Sequence, residues 1–112
     1  MAGVAVNRQG IRDELETELR RVVDRLRSAS LTALADPAGR WPSRADAAYA
    51  LAQALADAAA AAGGDPPRAL PRLGDPVVAD QVAVCGADLL DAARDDVPAD
   101  LLELVAEVRR SL

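Results

Sequence analysis

Apolar side chains recur every three or four positions through the first third of the chain. Between about Gly10 and Ala35 they are spaced by 4, 3, 4, 3 and 4 residues, at Leu15, Leu19, Val22, Leu26, Ala29 and Ala33. This heptad-like spacing predicts one long amphipathic helix with a single apolar stripe. The helix is expected to end near Asp36, because the residue before a proline is disfavoured in the α conformation.

Two more helical patterns occupy the middle of the chain. The second helix is predicted from Arg44 to Ala62, with Ser43 as its N-cap and glycines at its end. It is mostly alanine, so neighbouring helices can approach it closely. The third is predicted from the Asp75-Pro76 start signal to about Arg94. Its apolar line consists of Val78, Val82, Cys85, Leu89 and Ala93, and Gly86 within it predicts a close helix crossing.

A short fourth helix is predicted after Pro98. Its apolar positions are Leu101, Leu104, Val105, Val108 and Leu112. No segment alternates between apolar and polar residues as a strand would. The chain is therefore predicted to be all-α, a four-helix bundle forming a single domain over residues 1–112, with a flexible N-terminus over residues 1–9.

The first helix is the predicted self-association surface. At 1.5 Å per residue it would be roughly 39 Å long against roughly 22 Å for the fourth helix. Part of it is then expected to overhang the bundle or to pair with another chain. The residues predicted to mediate self-association are Leu15, Leu19, Val22 and Leu26.

A Pro/Gly-rich crossover, residues 63–75, joins the second and third helices. Its sequence, GGDPPRALPRLGD, is longer than the usual connection between bundle helices. One interpretation is a strap that runs back along the bundle to a parallel third helix and covers the core with Leu70 and Leu73. The alternative is an exposed proline-rich ligand for an aromatic groove of another protein.

Five residues are the candidates for binding a protein partner. Four lie in the crossover, and the fifth is a tryptophan before Ser43 that is expected either to fold over the bundle end or to act as a binding hot spot. They are Trp41, Arg68, Leu70, Arg72 and Leu73.

The composition excludes or disfavours several classes of catalytic site and binding partner. The chain has no histidine, which excludes Ser-His-Asp and Cys-His catalysis, and its one cysteine cannot form an intramolecular disulfide. The net charge of −5 argues against a nucleic-acid partner. There is no signal-peptide pattern and no run of 18 apolar residues. These features predict a cytoplasmic protein without a membrane partner, and the bias towards Ala, Arg and Asp with no lysine suggests a GC-rich bacterial gene.

Aligned acids on the third helix raise one catalytic hypothesis. Asp80, Asp88, Asp91 and Asp95 share a helix face, as in all-α hydrolases that use Mg²⁺ to cleave nucleotides or phosphate esters. A helical wheel places these acids away from the apolar line, whereas metal sites in bundles project inward. A solvated acidic face is the simpler interpretation, so no catalytic residue, metal ligand or cofactor is predicted.

The sequence thus predicts a non-catalytic adaptor or regulatory module that binds a protein partner and forms a homodimer. The partner itself is not indicated. A metal-dependent hydrolase using the acids of the third helix is the alternative. A small-molecule pocket between alanine-lined helices is a third possibility.

Overall fold

The computed structural model describes residues 8–112, and within them the protein is all-helical, as predicted. The helices are α1 (Arg8–Ser28), α2 (Leu31–Ala35), α3 (Arg44–Ala62), α4 (Val78–Ala93) and α5 (Ala99–Ser111). A 3₁₀ turn, Asp75–Val77, leads into α4. Most of the expected flexible N-terminus lies outside the described residues, but residues 8 and 9 belong to α1. Across residues 8–112, no helix combines the length and apolar character needed to cross a lipid bilayer.

The first helix is shorter than predicted, because the helix is interrupted between α1 and α2. The Ser28 hydroxyl donates to the carbonyl oxygen of Asp24 at 2.9 Å, and the Ser30 hydroxyl accepts the amide of Ala33 at 3.1 Å as the N-cap of α2. Serine hydroxyls compete with the helical hydrogen bonds of the backbone, so two of them in three residues favour an end and a restart. At 21 residues, α1 is roughly 31 Å long. The 13-residue α5 is roughly 20 Å long, so the two helices differ in length by less than predicted.

Polar contacts fix how α1 lies against its neighbours. Near its start, the Arg12 guanidinium donates to the carbonyl oxygens of Leu90 and Arg94 at the end of α4. Near its end, Arg27 pairs with Asp80 at the start of α4, at 3.2 Å. The two helices are therefore antiparallel. Both α1 and α3 pack against α4 and α5, which places the core between these four helices.

The apolar stripe of α1 faces this core. Leu15, Leu19, Val22 and Leu26, the predicted self-association residues, are between 0 and 7% exposed within a single chain. A second copy could reach them only if the fold opened. They pack inward because a chain without phenylalanine needs its largest aliphatic side chains to fill the core.

The close helix crossing predicted at Gly86 is present. A Cβ atom at this position would lie 3.0 Å from Cδ1 of Leu19, closer than normal van der Waals contact. The bare backbone of Gly86 thus lets α4 approach α1.

The turn between α4 and α5 carries an unusual backbone conformation. Arg94 has φ 53° and ψ −110°, and the amide of Asp96 donates to the carbonyl of Ala93 at 2.9 Å. These are the features of a type II′ turn with its first central position at Arg94, where glycine is favoured. The Arg12 contact to the Arg94 carbonyl holds this turn against α1.

Candidate interaction surfaces

The crossover lies along α3, and side chains of α3 hold it by hydrogen bonds to the main chain of the crossover. The side-chain amide of Gln53 donates to the carbonyl of Arg68 at 2.9 Å and accepts the amide of Leu70 at 2.7 Å. The Tyr49 hydroxyl donates to the carbonyl of Leu70 at 2.7 Å. Because it both donates and accepts, the Gln53 side chain pairs with the main-chain groups of the extended crossover, much as a neighbouring β-strand would.

Contacts at the other side of the crossover reach α4 and the start of α3. Gln81 of α4 donates to the carbonyl of Pro71 at 3.0 Å. Arg72 pairs with Asp46 and Asp75, each at 3.1 Å, and its guanidinium lies 5.5 Å from the ring centroid of Tyr49. The crossover therefore occupies the groove between α3 and α4, and its contacts run from the middle of α3 back towards its start.

The four candidate partner-binding residues of the crossover have different environments. Leu70 packs against the core and Arg72 is engaged in ion pairs. Arg68 is exposed and lines a shallow cavity of about 380 Å³ beside α3. Leu73 is 46% exposed, so the expectation that both leucines cover the core is wrong for it. Arg72 still contacts Asp46 and Tyr49 of α3, and Leu73 follows it where the chain leaves the groove.

Trp41 lies in a separate turn that rests on α5. Ala38 and Trp41 exchange backbone hydrogen bonds of 3.2 and 2.9 Å, and Arg40 stacks on the tryptophan ring at 4.3 Å. Arg40 also binds Glu107 of α5 at 2.8 Å, and this hydrogen bond lowers the pKa of the Glu107 carboxyl. The half-buried indole packs against the hydrophobic core.

A second groove, between α1 and α4, is open to solvent. It has a volume of about 280 Å³. Its apolar and small lining residues are Leu19, Val23, Val82, Ala83, Gly86, Ala87 and Leu90. Its polar lining consists of charged side chains of α1 and contains no amide or hydroxyl side chain. We call this surface the α1/α4 groove.

The charged rim of the α1/α4 groove forms a stripe along α1. The stripe consists of Glu16, Arg20, Asp24 and Arg27, all exposed. Among these four residues, only Arg27 forms an ion pair within the described part of the chain. Its partner, Asp80, is also exposed. Sequence spacing alone did not single out this stripe, because its members are scattered among the other charged residues of the helix.

Three of the four aligned acids lie on α4, and the fourth, Asp95, follows its end at Ala93. Asp80, Asp88, Asp91 and Asp95 are all exposed. Within residues 8–112, no three potential ligands of the His, Cys, Asp or Glu type lie close enough to hold an ion. Cys85 is buried, and burial together with the nearby Asp88 charge raises the pKa of its thiol. A thiol in this state is a poor nucleophile.

A buried carboxylate that sequence reasoning passed over lies between α1 and α5. Glu18 is 9% exposed and forms ion pairs with Arg109 of α5 and with Arg21 at 3.3 Å. Arg25 donates to the carbonyl of Leu112 at 2.6 Å. These contacts use the charges on this flank of α1 for packing, whereas those above the α1/α4 groove are left available.

Searches of protein-family models, curated proteins and solved structures found no significant match to this chain.

Proposed function

We propose that this protein is a non-catalytic interaction module, a four-helix bundle that binds a helix of another polypeptide in its α1/α4 groove. In this interpretation α1, α3, α4 and α5 form the bundle, and the Pro/Gly-rich crossover is a strap between parallel α3 and α4. The observation that carries the proposal is the open, apolar α1/α4 groove.

The lining of the groove favours a helix as its occupant. The α3/α4 groove holds an extended segment because Tyr49, Gln53 and Gln81 satisfy its main-chain groups. The lining of the α1/α4 groove contains no amide side chain, so no single residue there can both donate to and accept from an extended main chain as Gln53 does. A helix satisfies its own backbone and needs only apolar contact and matched charges at the rim.

No contact favours the hydrolase alternative. The three aligned acids of α4 and Asp95 after it are exposed and do not converge with other potential ligands among residues 8–112. We therefore keep in the proposal that the protein has no catalytic activity, binds no cofactor and is cytoplasmic. The buried, unreactive thiol of Cys85 is compatible with a reducing compartment.

The groove is tested by the substitution Ala87→Arg. Ala87 is exposed and lines the groove, so an arginine there fills it without disturbing the core. Binding to any polypeptide, measured by sedimentation velocity and by affinity capture with the full chain, should fall at least about tenfold. The matched control is Ala92→Arg, an exposed alanine of α4 outside the groove lining, which adds the same charge and should bind as the wild type does.

Two outcomes would contradict the proposal. One is equal binding by Ala87→Arg and the wild type. The other is a rise in melting temperature on adding Mg²⁺ that is lost in the double variant Asp88→Asn and Asp91→Asn, because this result would indicate a metal site on α4.

A further inference from the structure

We infer that the occupant of the α1/α4 groove is α1 of a second copy of the chain, placed antiparallel across a twofold axis near Val22. This inference rests on the proposed function, because it assumes that the groove accepts a helix. It concerns the exposed rim of α1, and it leaves the buried stripe of Leu15, Leu19 and Leu26 inside each copy.

The charge order of the stripe supports a second copy. From Glu16 to Arg27 the stripe is negative, positive, negative and positive. An antiparallel copy presents the reverse order, so Arg20 faces Asp24 of the partner chain and Glu16 faces its Arg27. Position numbers add to 44 for the first pair and 43 for the second, so a single twofold axis near residue 22 serves both. Such an isologous contact uses the same patch on both copies.

Other partners would match this stripe less well. A uniformly basic helix would meet repulsion at Arg20 and Arg27, and a uniformly acidic helix would meet it at Glu16 and Asp24. Like charges brought together at an interface disfavour the wrong partner. The pattern that complements the stripe is its own reverse, which α1 of a second copy provides.

The charges of the stripe are also available. In the described part of the chain, Arg20, Glu16 and Asp24 have no ion pair, and the Arg27 pair with Asp80 leaves the two side chains 56% and 69% exposed. By contrast, Glu18, Arg12 and Arg25 on other parts of α1 are engaged in packing contacts. Three of the four charges of the stripe, Glu16, Arg20 and Asp24, are thus available to pair with a second chain, and the exposed Arg27 can add a partner to Asp80.

Apolar surface accompanies the charges. Ala83, Gly86 and Ala87 are small, which lets a second helix approach α4 closely. The contacts of Arg12 with Leu90 and of Arg27 with Asp80 place residue 22 of α1 at about the level of residue 84 of α4. Ala83, half-buried in the groove lining, lies beside the level of the inferred axis and would lose water contact in a dimer.

Charge reversal with complementation tests the inference. Arg20→Glu gives a stripe negative at positions 20 and 24, and Asp24→Arg gives one positive at both. Each variant alone should dimerise at least about tenfold more weakly than the wild type by sedimentation equilibrium. An equimolar mixture of the two should associate as a heterodimer, because each position again faces the opposite charge. The chain carrying both substitutions should self-associate like the wild type.

Controls separate dimerisation from folding. Circular dichroism and melting of each variant establish that it is folded, and Glu14→Arg reverses an exposed charge of α1 outside the groove lining and should leave the dimer unchanged. Association of the wild type should also weaken with added salt, because the paired charges are close to solvent.

Three results would overturn the inference: a monomeric wild type at every concentration, single variants that dimerise as the wild type does, or a mixture that fails to restore association. A monomer that binds a different polypeptide, with binding lost in Ala87→Arg, would overturn the dimer and leave the proposed function intact. A dimer insensitive to Ala87→Arg would instead remove the groove from both proposals.

Discussion

The two grooves beside α4 differ in what fills them. The α3/α4 groove is occupied by the crossover of the same chain, whereas the α1/α4 groove is open. Tyr49, Gln53 and Gln81 bind main-chain atoms in the first, and small apolar residues beneath charged arginines and acids line the second. The side chains at a helix-helix groove therefore determine whether it suits an extended segment or another helix.

The largest expected effect comes from filling the helix crossing beneath the open groove. In Gly86→Leu the new side chain would collide with Leu19, where even a Cβ atom comes within 3.0 Å. Separation of α1 from α4 should lower the free energy of unfolding by about 2–3 kcal/mol, measured by urea denaturation. Ala87→Leu is the control, because Ala87 is exposed on the same helix. Equal stability of the two variants would show that Gly86 is not a tight contact.

A smaller effect on stability is expected from weakening the contacts that hold the crossover in the α3/α4 groove. Gln53→Ala removes the acceptor of the Leu70 amide and the donor to the Arg68 carbonyl. The free energy of unfolding should fall by about 1–2 kcal/mol. Hydrogen exchange of the Leu70 amide should accelerate. The control Gln9→Ala removes an exposed glutamine that donates to Asp13 at 3.0 Å and should change little. Continued protection of the Leu70 amide in Gln53→Ala would contradict the strap.

The smallest effect concerns the turn at the end of the open groove. Arg94→Gly should raise the free energy of unfolding by about 0.5–1 kcal/mol, because glycine adopts φ 53° without strain but loses more entropy on folding. Arg94→Ala provides the comparison, since it removes the same side chain and keeps the strain. The urea midpoint of the glycine variant should be the higher of the two. If the alanine variant is equally stable, the turn is not strained.

Much of the fold follows from local patterns in the sequence. The all-α class, the start of α3 and the role of Gly86 are set by a cap and by apolar spacing that act within a few residues. The Asp75-Pro76 signal marks a 3₁₀ turn, and α4 begins after it at Val78. The break between α1 and α2 does not follow from the apolar spacing, which continues through it, because it is the two serine hydroxyls that redirect the backbone.

The candidate sites were harder to predict because they depend on residues distant in sequence. The contact between Arg12 and Leu90 spans 78 positions, and nothing near either residue indicates it. The α1 stripe became visible as a surface only when the position of α4 showed which charges border an open groove. Spacing indicated that Leu15 and Val22 lie on an apolar face, but it did not indicate whether that face meets the core or another chain.

The crossover has one consequence for how this protein can change through evolution. The hydrogen bonds from α3 and α4 reach the carbonyls of Arg68, Leu70 and Pro71 and the amide of Leu70. Any residue supplies a backbone carbonyl, and any residue except proline supplies a backbone amide. Exposed positions such as Arg68 and Ala69 can therefore be replaced while the path of the segment is kept. The crossover, held through its main chain, can thus present new surface side chains while the contacts with the helices beneath it are kept.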